Sequence, residues 1–263
     1  MRFIMNRFLK WKDLILILAL TNLKQRYKQR YLRFAWAVIH PLFMMAVFTI
    51  VFSRVAKLPS EGVPYPLFSF TALVPWTFFA SSLSFCVYCL NAQFNLITRI
   101  NFPKITIPLG SILATSFDFL IAICLLIVMF FLYRFTIDPK AILIIPIIII
   151  QLIFTIGVGL ILSIANVYLR DIQNALPLIM QAWMLASPVG YSLNMVVNDK
   201  LRFFYLLNPM AGILDSYRRV LLHNQLPSLY YLGMAFVVAL ITFIFGYWFF
   251  KRNEAHMADI ISL

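Results

Sequence analysis

The chain alternates long apolar runs with short polar joints. Six runs stand out, at about 34–54, 67–90, 106–132, 141–167, 175–197 and 229–250. A helix needs roughly 20 apolar residues to cross ~30 Å of hydrocarbon, and only a helix or a closed barrel satisfies its own backbone there. The pattern therefore predicts an all-α integral membrane protein with six transmembrane helices. The third and fourth runs are long enough to require tilt, and Pro146 and Pro177 are expected to start or kink their helices. No internal repeat or flexible linker divides the sequence, so residues 1–263 read as one transmembrane domain.

The joints carry their own patterns. Basic residues precede a short apolar run at 14–20, which resembles the start of a signal peptide, but no small-x-small cleavage site follows and cleavage is not expected. On a helical wheel Leu16, Leu20, Leu23, Tyr27, Tyr31 and Phe34 share one face. Lys24 and Lys28 flank it on one side, Arg26, Arg30 and Arg33 on the other, with Gln25 and Gln29 opposite. That arrangement predicts an amphipathic helix over about 12–33, lying in the membrane interface with its basic side chains reaching headgroups. Segment 91–104, containing Asn95, Arg99, Phe102, Pro103 and Lys104, predicts a second short amphipathic helix ended before the proline. Arg170 and Asp171 mark the joint between the fourth and fifth runs. Segment 201–222 is too apolar for a free loop, yet Asn208-Pro209, Asp215, Arg218 and Arg219 interrupt it. Its halves of about ten residues are too short to span, which predicts re-entrant or surface helices on the outer side.

Composition agrees: 63% of residues are hydrophobic and 12% charged, against about 45–50% and 25% in soluble domains. Mean hydropathy is +0.90. The net charge is +13. With both termini in the cytoplasm, 14 of the 22 Lys and Arg fall on the inner side, most of them before the first run. The positive-inside rule favours that orientation in the cytoplasmic membrane. The charge implies contact with anionic lipids or a cytoplasmic partner and gives no reason to invoke nucleic acid.

Catalytic constellations are missing. His40, His223 and His256 are far apart in sequence, and Cys86-Val87-Tyr88-Cys89 has no second cysteine pair, so helix packing is the reading for both groups and no metal site is expected. Of nine acidic residues only Asp118 lies deep in a run. An intramembrane carboxylate marks either a functional site or a hydrogen bond to a neighbouring helix, with Thr115 or Ser116 as candidates. No G-x-x-x-x-G-K-[ST] motif occurs, so the chain is expected to bind no cofactor, and any ATP and Mg must be bound elsewhere.

The sequence Arg26-Tyr27-Lys28, followed by Trp36, His40-Pro41-Leu42, Phe48 and Val51-Phe52, resembles the opening of the permeases of ATP-binding-cassette exporters for cell-surface polysaccharides. That family moves O-antigen, capsule and teichoic acid. Phe102-Pro103-Lys104, Leu169-Arg170-Asp171, Ser187-Pro188-Val189 and Leu207-Asn208-Pro209 extend the likeness in order along nearly the whole chain, although Arg33-Phe34-Ala35 stands where the family commonly has Leu-Gly. The resemblance implies a homodimeric, non-enzymatic pore bound to two copies of a separate ATPase subunit, and a lipid-linked polysaccharide, O-antigen foremost, as cargo. It implies that 91–104 is the helix coupling to the ATPase and that 201–222, with Asn208, Pro209 and Arg218, is an extracellular gate. Flat aromatic rings would let such a polymer slide, since conduction needs binding weak enough to leave. Trp36, Phe43, Trp76, Phe79, Trp183 and Tyr191 are the candidates. Export of a drug or lipid by a similar permease, a proton-coupled carrier using Asp118, and a membrane transferase are the alternatives.

Overall fold

A computed structural model of the chain describes residues 2–27, 31–100, 102–136, 138–195, 203, 205–254 and 257, without the side chains of 2–11, 25–27 and 31–37. The described residues form helices α1 (Arg2–Tyr27), α2 (Tyr31–Phe48, continued by π-turns over Thr49–Val55), α3 (Tyr65–Ala92), α4 (Phe94–Arg99) and α5 (Thr106–Leu132). A 3-10 turn at Pro139–Leu143 leads into α6 (Ile144–Tyr168), followed by α7 (Ile172–Leu185), α8 (Pro209–Leu221) and α9 (Leu229–Asn253).

Five stretches are long and apolar enough to cross a membrane: Val38–Val55, Tyr65–Ala92, Thr106–Leu132, Pro139–Tyr168 and Leu229–Asn253. They match the first four expected runs and the last. The fifth expected run, 175–197, folds differently. α7 is 14 residues long, about 21 Å at 1.5 Å per residue, and the chain then turns through Ser187-Pro188-Val189-Gly190. Pro188 has no N–H to give and disfavours helical backbone at Ser187, so the helix stops there.

α3 is the axis of the bundle, and 19 of its 28 residues are buried against α2, α5, α6, α7 and α8. Without a hydrophobic driving force between helices in lipid, close approach of small residues sets the packing. Gly157 of α6 and Gly246 of α9 meet backbone to backbone, and a Cβ on Gly246 would lie 2.4 Å from the Gly157 carbonyl oxygen. Gly212 lets α8 sit on the first turn of α9, where a Cβ would approach Tyr231 O to 2.5 Å. Cys86 packs on Gly159, an ordinary helix contact.

Buried polar groups tie the spans together. Gln151 of α6 donates to Pro75 O at 2.8 Å and accepts from Tyr217 Oη of α8 at 2.9 Å. Asn166 donates to Val87 O at 2.8 Å and accepts from the backbone N–H of Gln173 at 3.2 Å, fixing the start of α7 beside the end of α6. Ser82 and Thr115 share a hydrogen bond of 2.7 Å between α3 and α5.

The bundle has two polar ends. At one, α1 lies on the first turns of α5, with Leu18 against Gly110, beside α4, the 102–104 strip and the last turn of α9. A helix covers Arg2–Tyr27 where an interface helix over about 12–33 is expected; Lys24 is exposed, the side chains of Arg26 and Tyr27 are outside the description, and Lys28 and Arg30 lie outside the described residues. The face that packs is Leu18 and Ala19, leaving Leu16 and Leu20 exposed. The other end gathers the 56–64 loop, residues 187–195, α8 and the 222–228 turn.

Candidate functional site

A groove of about 670 Å³ opens between α2, α3, α5 and α7. Its wall mixes apolar side chains with His40 of α2, Thr77, Ser81 and Ser84 of α3, Asp118 of α5 and Gln181 of α7. Asp118 is thus placed on the groove. Ser116 and Thr115, the partners considered for it, bond instead to Ile112 O at 3.0 and 2.7 Å.

The candidate aromatics divide. Trp76 lines the groove. Phe79, with no exposed surface, stacks on Phe154 at 5.3 Å and meets Trp183 edge-on at 5.2 Å, so its ring supports the wall from behind. Trp183 also stands edge-on to Trp76 at 6.4 Å. Phe43 is 65% exposed on the outward side of α2, and the side chain of Trp36 lies outside the described residues. Tyr191 sits at the polar end, sharing a hydrogen bond of 2.5 Å with Tyr205.

Above the groove, Arg218 organises the chain that follows α7. It is 3% exposed, and its guanidinium donates to Pro188 O at 2.6 Å, Tyr191 O at 2.8 Å, Val189 O at 2.5 Å and Phe68 O at 3.4 Å. The group also lies 3.8 Å from the centre of the Phe68 ring, an attraction worth about 2 kcal/mol once desolvated. Tyr65 Oη donates to Gly190 O at 2.5 Å. The irregular segment thus has its carbonyls satisfied by protein, the condition for non-helical backbone at membrane depth.

Asn208 works beside it. Its Oδ1 caps α8 through Met210 N at 3.1 Å and accepts from Trp183 Nε1 at 3.1 Å, while Nδ2 donates to Ser187 Oγ at 2.9 Å. With Pro209 at the first helical position, Asn208-Pro209 is a helix start that also clamps the end of α7. α8 is not a surface helix: of its 13 residues only Arg219, paired with Asp215 at 2.6 Å, is less than buried. A polar cavity of about 240 Å³ adjoins it, lined by Glu61, Ser192, Asn194, Asp215, Arg218, Arg219, His223 and Gln225.

Glu61 was not expected. Positive φ at Glu61 (54°) and Gly62 (80°) turns the loop, and the carboxylate accepts from Ser192 Oγ and, at 2.8 Å, from Asn194 Nδ2. His223 Nε2 lies 2.9 Å away, close but poorly aligned for a hydrogen bond. Burial opposes ionisation of Glu61, but these hydrogen bonds and the nearby His223 and Arg218 outweigh it and hold its pKa below the ordinary value of 4.5.

At the opposite end α4 is shorter than the expected helix, because α3 runs on to Ala92 and Ile100 is already extended. Asn95 and Arg99 are exposed, Ile97 is buried, and Phe102, Pro103 and Lys104 are half-buried. Glu254 holds the strip: its Oε1 accepts from Lys104 N at 2.8 Å, its backbone O from Lys104 Nζ at 3.0 Å, and its Oε2 from Lys251 Nζ at 2.6 Å. Arg170 and Asp171 are exposed nearby, and Tyr168 reaches Asn253 at 3.0 Å. Among the described residues, no group of three or more His, Cys, Asp or Glu comes together to hold a metal.

The described helices include five long and apolar enough to cross a membrane, with a groove between them. The chain belongs to the ABC-2 type transporter family, whose model matches residues 13–222. It is 28% identical to the O-antigen export system permease protein RfbA of Klebsiella pneumoniae over 95% of both chains, and 28% identical to that of Myxococcus xanthus over 83% of this chain and 84% of the relative. It is 21% identical to the polysialic acid transport protein KpsM of Escherichia coli over 91% of this chain and 93% of the relative.

Proposed function

We propose that this chain is the channel-forming subunit of an exporter that moves a lipid-linked polysaccharide, O-antigen in the first instance, across the cytoplasmic membrane. ATP, with Mg, is bound and hydrolysed by a separate subunit. The observation that carries the reading is the groove between α2, α3, α5 and α7. It places hydroxyl, amide, imidazole and carboxyl groups, with the edge of Trp76, in a bundle otherwise built to meet lipid. Polar groups in hydrocarbon are retained where they line a path.

In this reading six crossings are made, five by continuous helices and the sixth by α7 with the Arg218-bound segment after it. Two copies face each other across the grooves, both termini lie in the cytoplasm, and α1 rests in the interface with Lys24 among the headgroups. The exposed Asn95 and Arg99, with Phe102, Pro103 and Lys104 behind them, receive the ATPase, one copy per permease. Residues 187–195 and α8 form the outer gate. Similarity to a polysialic acid transport protein makes capsule the second choice of cargo.

The test is genetic and biochemical together. Deletion of the gene is expected to abolish surface polysaccharide while lipid-linked polymer accumulates inside, and the tagged chain is expected to co-purify with an ATPase subunit. Normal surface polymer in the deletion strain, or no associated ATPase, contradicts the proposal.

A further inference from the structure

α7 and α8 differ in how firmly one copy of the chain holds them. Of the 14 residues of α7 only Leu176 and Met180 are buried, whereas α8 is buried almost throughout and α3 has 19 of its 28 residues buried. An element with few buried apolar contacts shifts at low cost, and its firmly packed neighbours are the frame it shifts against. α7 is also part of the groove wall, through Pro177, Met180, Gln181 and Met184.

Trp183, in the last turn of α7, joins the two. On one side its ring stands edge-on to Trp76 of the groove wall at 6.4 Å, to Phe79 at 5.2 Å and to Phe154 at 6.1 Å. On the other its indole N–H, a donor with no acceptor capacity, reaches Asn208 Oδ1 at 3.1 Å. The same oxygen accepts from Met210 N at 3.1 Å and so caps α8, while Asn208 Nδ2 donates to Ser187 Oγ at 2.9 Å, just past the end of α7. One amide thus fastens the loosely packed helix to the start of the firmly packed one, and the ring that makes the bond leans on the groove wall. A bond of 3.1 Å stretched by about 0.5 Å is lost. We propose that Trp183 is a positioning residue for transport: its bond to Asn208 is the catch that holds residues 187–195 closed over an empty groove, and polymer passing Trp76 releases it. Occupancy acts on the gate through the difference in the contacts of Trp183 between two positions of α7.

This inference rests on the groove as the transport path and on residues 187–195 and α8 as the outer gate, both proposed above. The test reconstitutes the chain with its ATPase partner in liposomes and reads leak of a trapped hydrophilic dye without ATP and glycan export with ATP. Trp183→Phe keeps a ring and removes the N–H; Asn208→Ser keeps a cap for α8 and is too short to hold Trp183. Each is expected to raise resting leak by about threefold or more, the shift made by one average interhelical hydrogen bond in a membrane, while melting temperature and co-purification with the ATPase persist. The double variant is expected to leak no more than either single one. Lipid-linked glycan is expected to raise the wild-type leak and to leave that of Trp183→Phe unchanged. Wild-type leak in both single variants, with or without a lowered melting temperature, or additive leak in the double, overturns this inference alone. If Trp183→Phe is not recovered from membranes, Asn208→Ser decides by the same comparison. A wild-type complex that exports no glycan with ATP overturns the transport function, and the leak comparison still decides the catch.

Discussion

Arg218 and Pro188 meet at 2.6 Å, guanidinium Nη1 to carbonyl oxygen, 30 residues apart in sequence. Through this contact and its neighbours one buried side chain holds the break that follows α7. Removing it leaves the carbonyls of Pro188, Val189 and Tyr191 short of a donor, each costing about 1–3 kcal/mol if buried and unsatisfied. Arg218→Met is therefore expected to lower stability by about 3 kcal/mol or more, read as a fall in melting temperature in detergent and in membrane yield. Arg218→Lys should recover little, since an ammonium does not reproduce the planar fork. A wild-type melting curve for Arg218→Met would show that the segment holds itself.

The Glu61 cluster sets a pH dependence. A carboxylate with a depressed native pKa contributes stability that is present above its unfolded value, 4.5, and lost as pH falls through the native value. The melting temperature of the wild type should therefore decline below about pH 4.5 more steeply than that of Glu61→Gln, the two curves converging in acid. Parallel curves would show that Glu61 does not set the acid limb of stability.

Two glycines of one helix make a controlled pair. Gly246→Ala drives a methyl into the Gly157 carbonyl, whereas a Cβ on Gly233 meets nothing within 4 Å. Separation of α6 from α9 should make Gly246→Ala destabilising by about 1–3 kcal/mol. Gly233→Ala should be neutral or slightly stabilising, because alanine is the better helix former. Thermal melts of the two variants in the same detergent decide it.

Glu254 is expected to keep the 102–104 strip in place. Glu254→Ala removes acceptors from Lys104 N and Lys251 Nζ, about 1–2 kcal/mol of local order. Hydrogen exchange over 102–106 should rise, while the Gly157 and Gly246 crossing stays protected. On the proposed coupling role, ATP-dependent export falls while the ATPase still binds. Unchanged exchange at Lys104 would contradict the bracing role.

Hydropathy made most of the scaffold legible. Four expected runs and the last coincide with helices to within a few residues, because helix length and apolarity are set by the bilayer and need no tertiary information. The short α7 and the turn after it were not legible, since residues 175–197 read as one apolar run while Pro188 ends the helix and a distant Arg218 makes the ending tolerable. Arg218 itself gave a signal as a charge in an apolar segment; that its partners are the carbonyls of residues 188–191 gave none. Glu61 meets Ser192 and Asn194 more than 130 residues away, and neither periodicity nor motif links such positions. Phe79 and Trp76 looked alike as aromatic residues of one span and, one turn apart, touch at 5.8 Å, yet Phe79 stacks on Phe154 while Trp76 lines the groove. The serines and threonine of α3 were passed over because hydroxyls on a membrane helix have no distinctive spacing until the helices beside them are known.

Transport through this chain can be followed outside the cell. The most direct measurement reconstitutes it with its ATPase partner in liposomes bearing a lipid-linked neutral glycan on the ATPase-facing leaflet, and follows appearance of the glycan on the opposite leaflet with an impermeant lectin. ATP-dependent appearance, absent with a partner that cannot hydrolyse ATP, is the predicted result. A complex that hydrolyses ATP while the glycan stays on its original leaflet would contradict it.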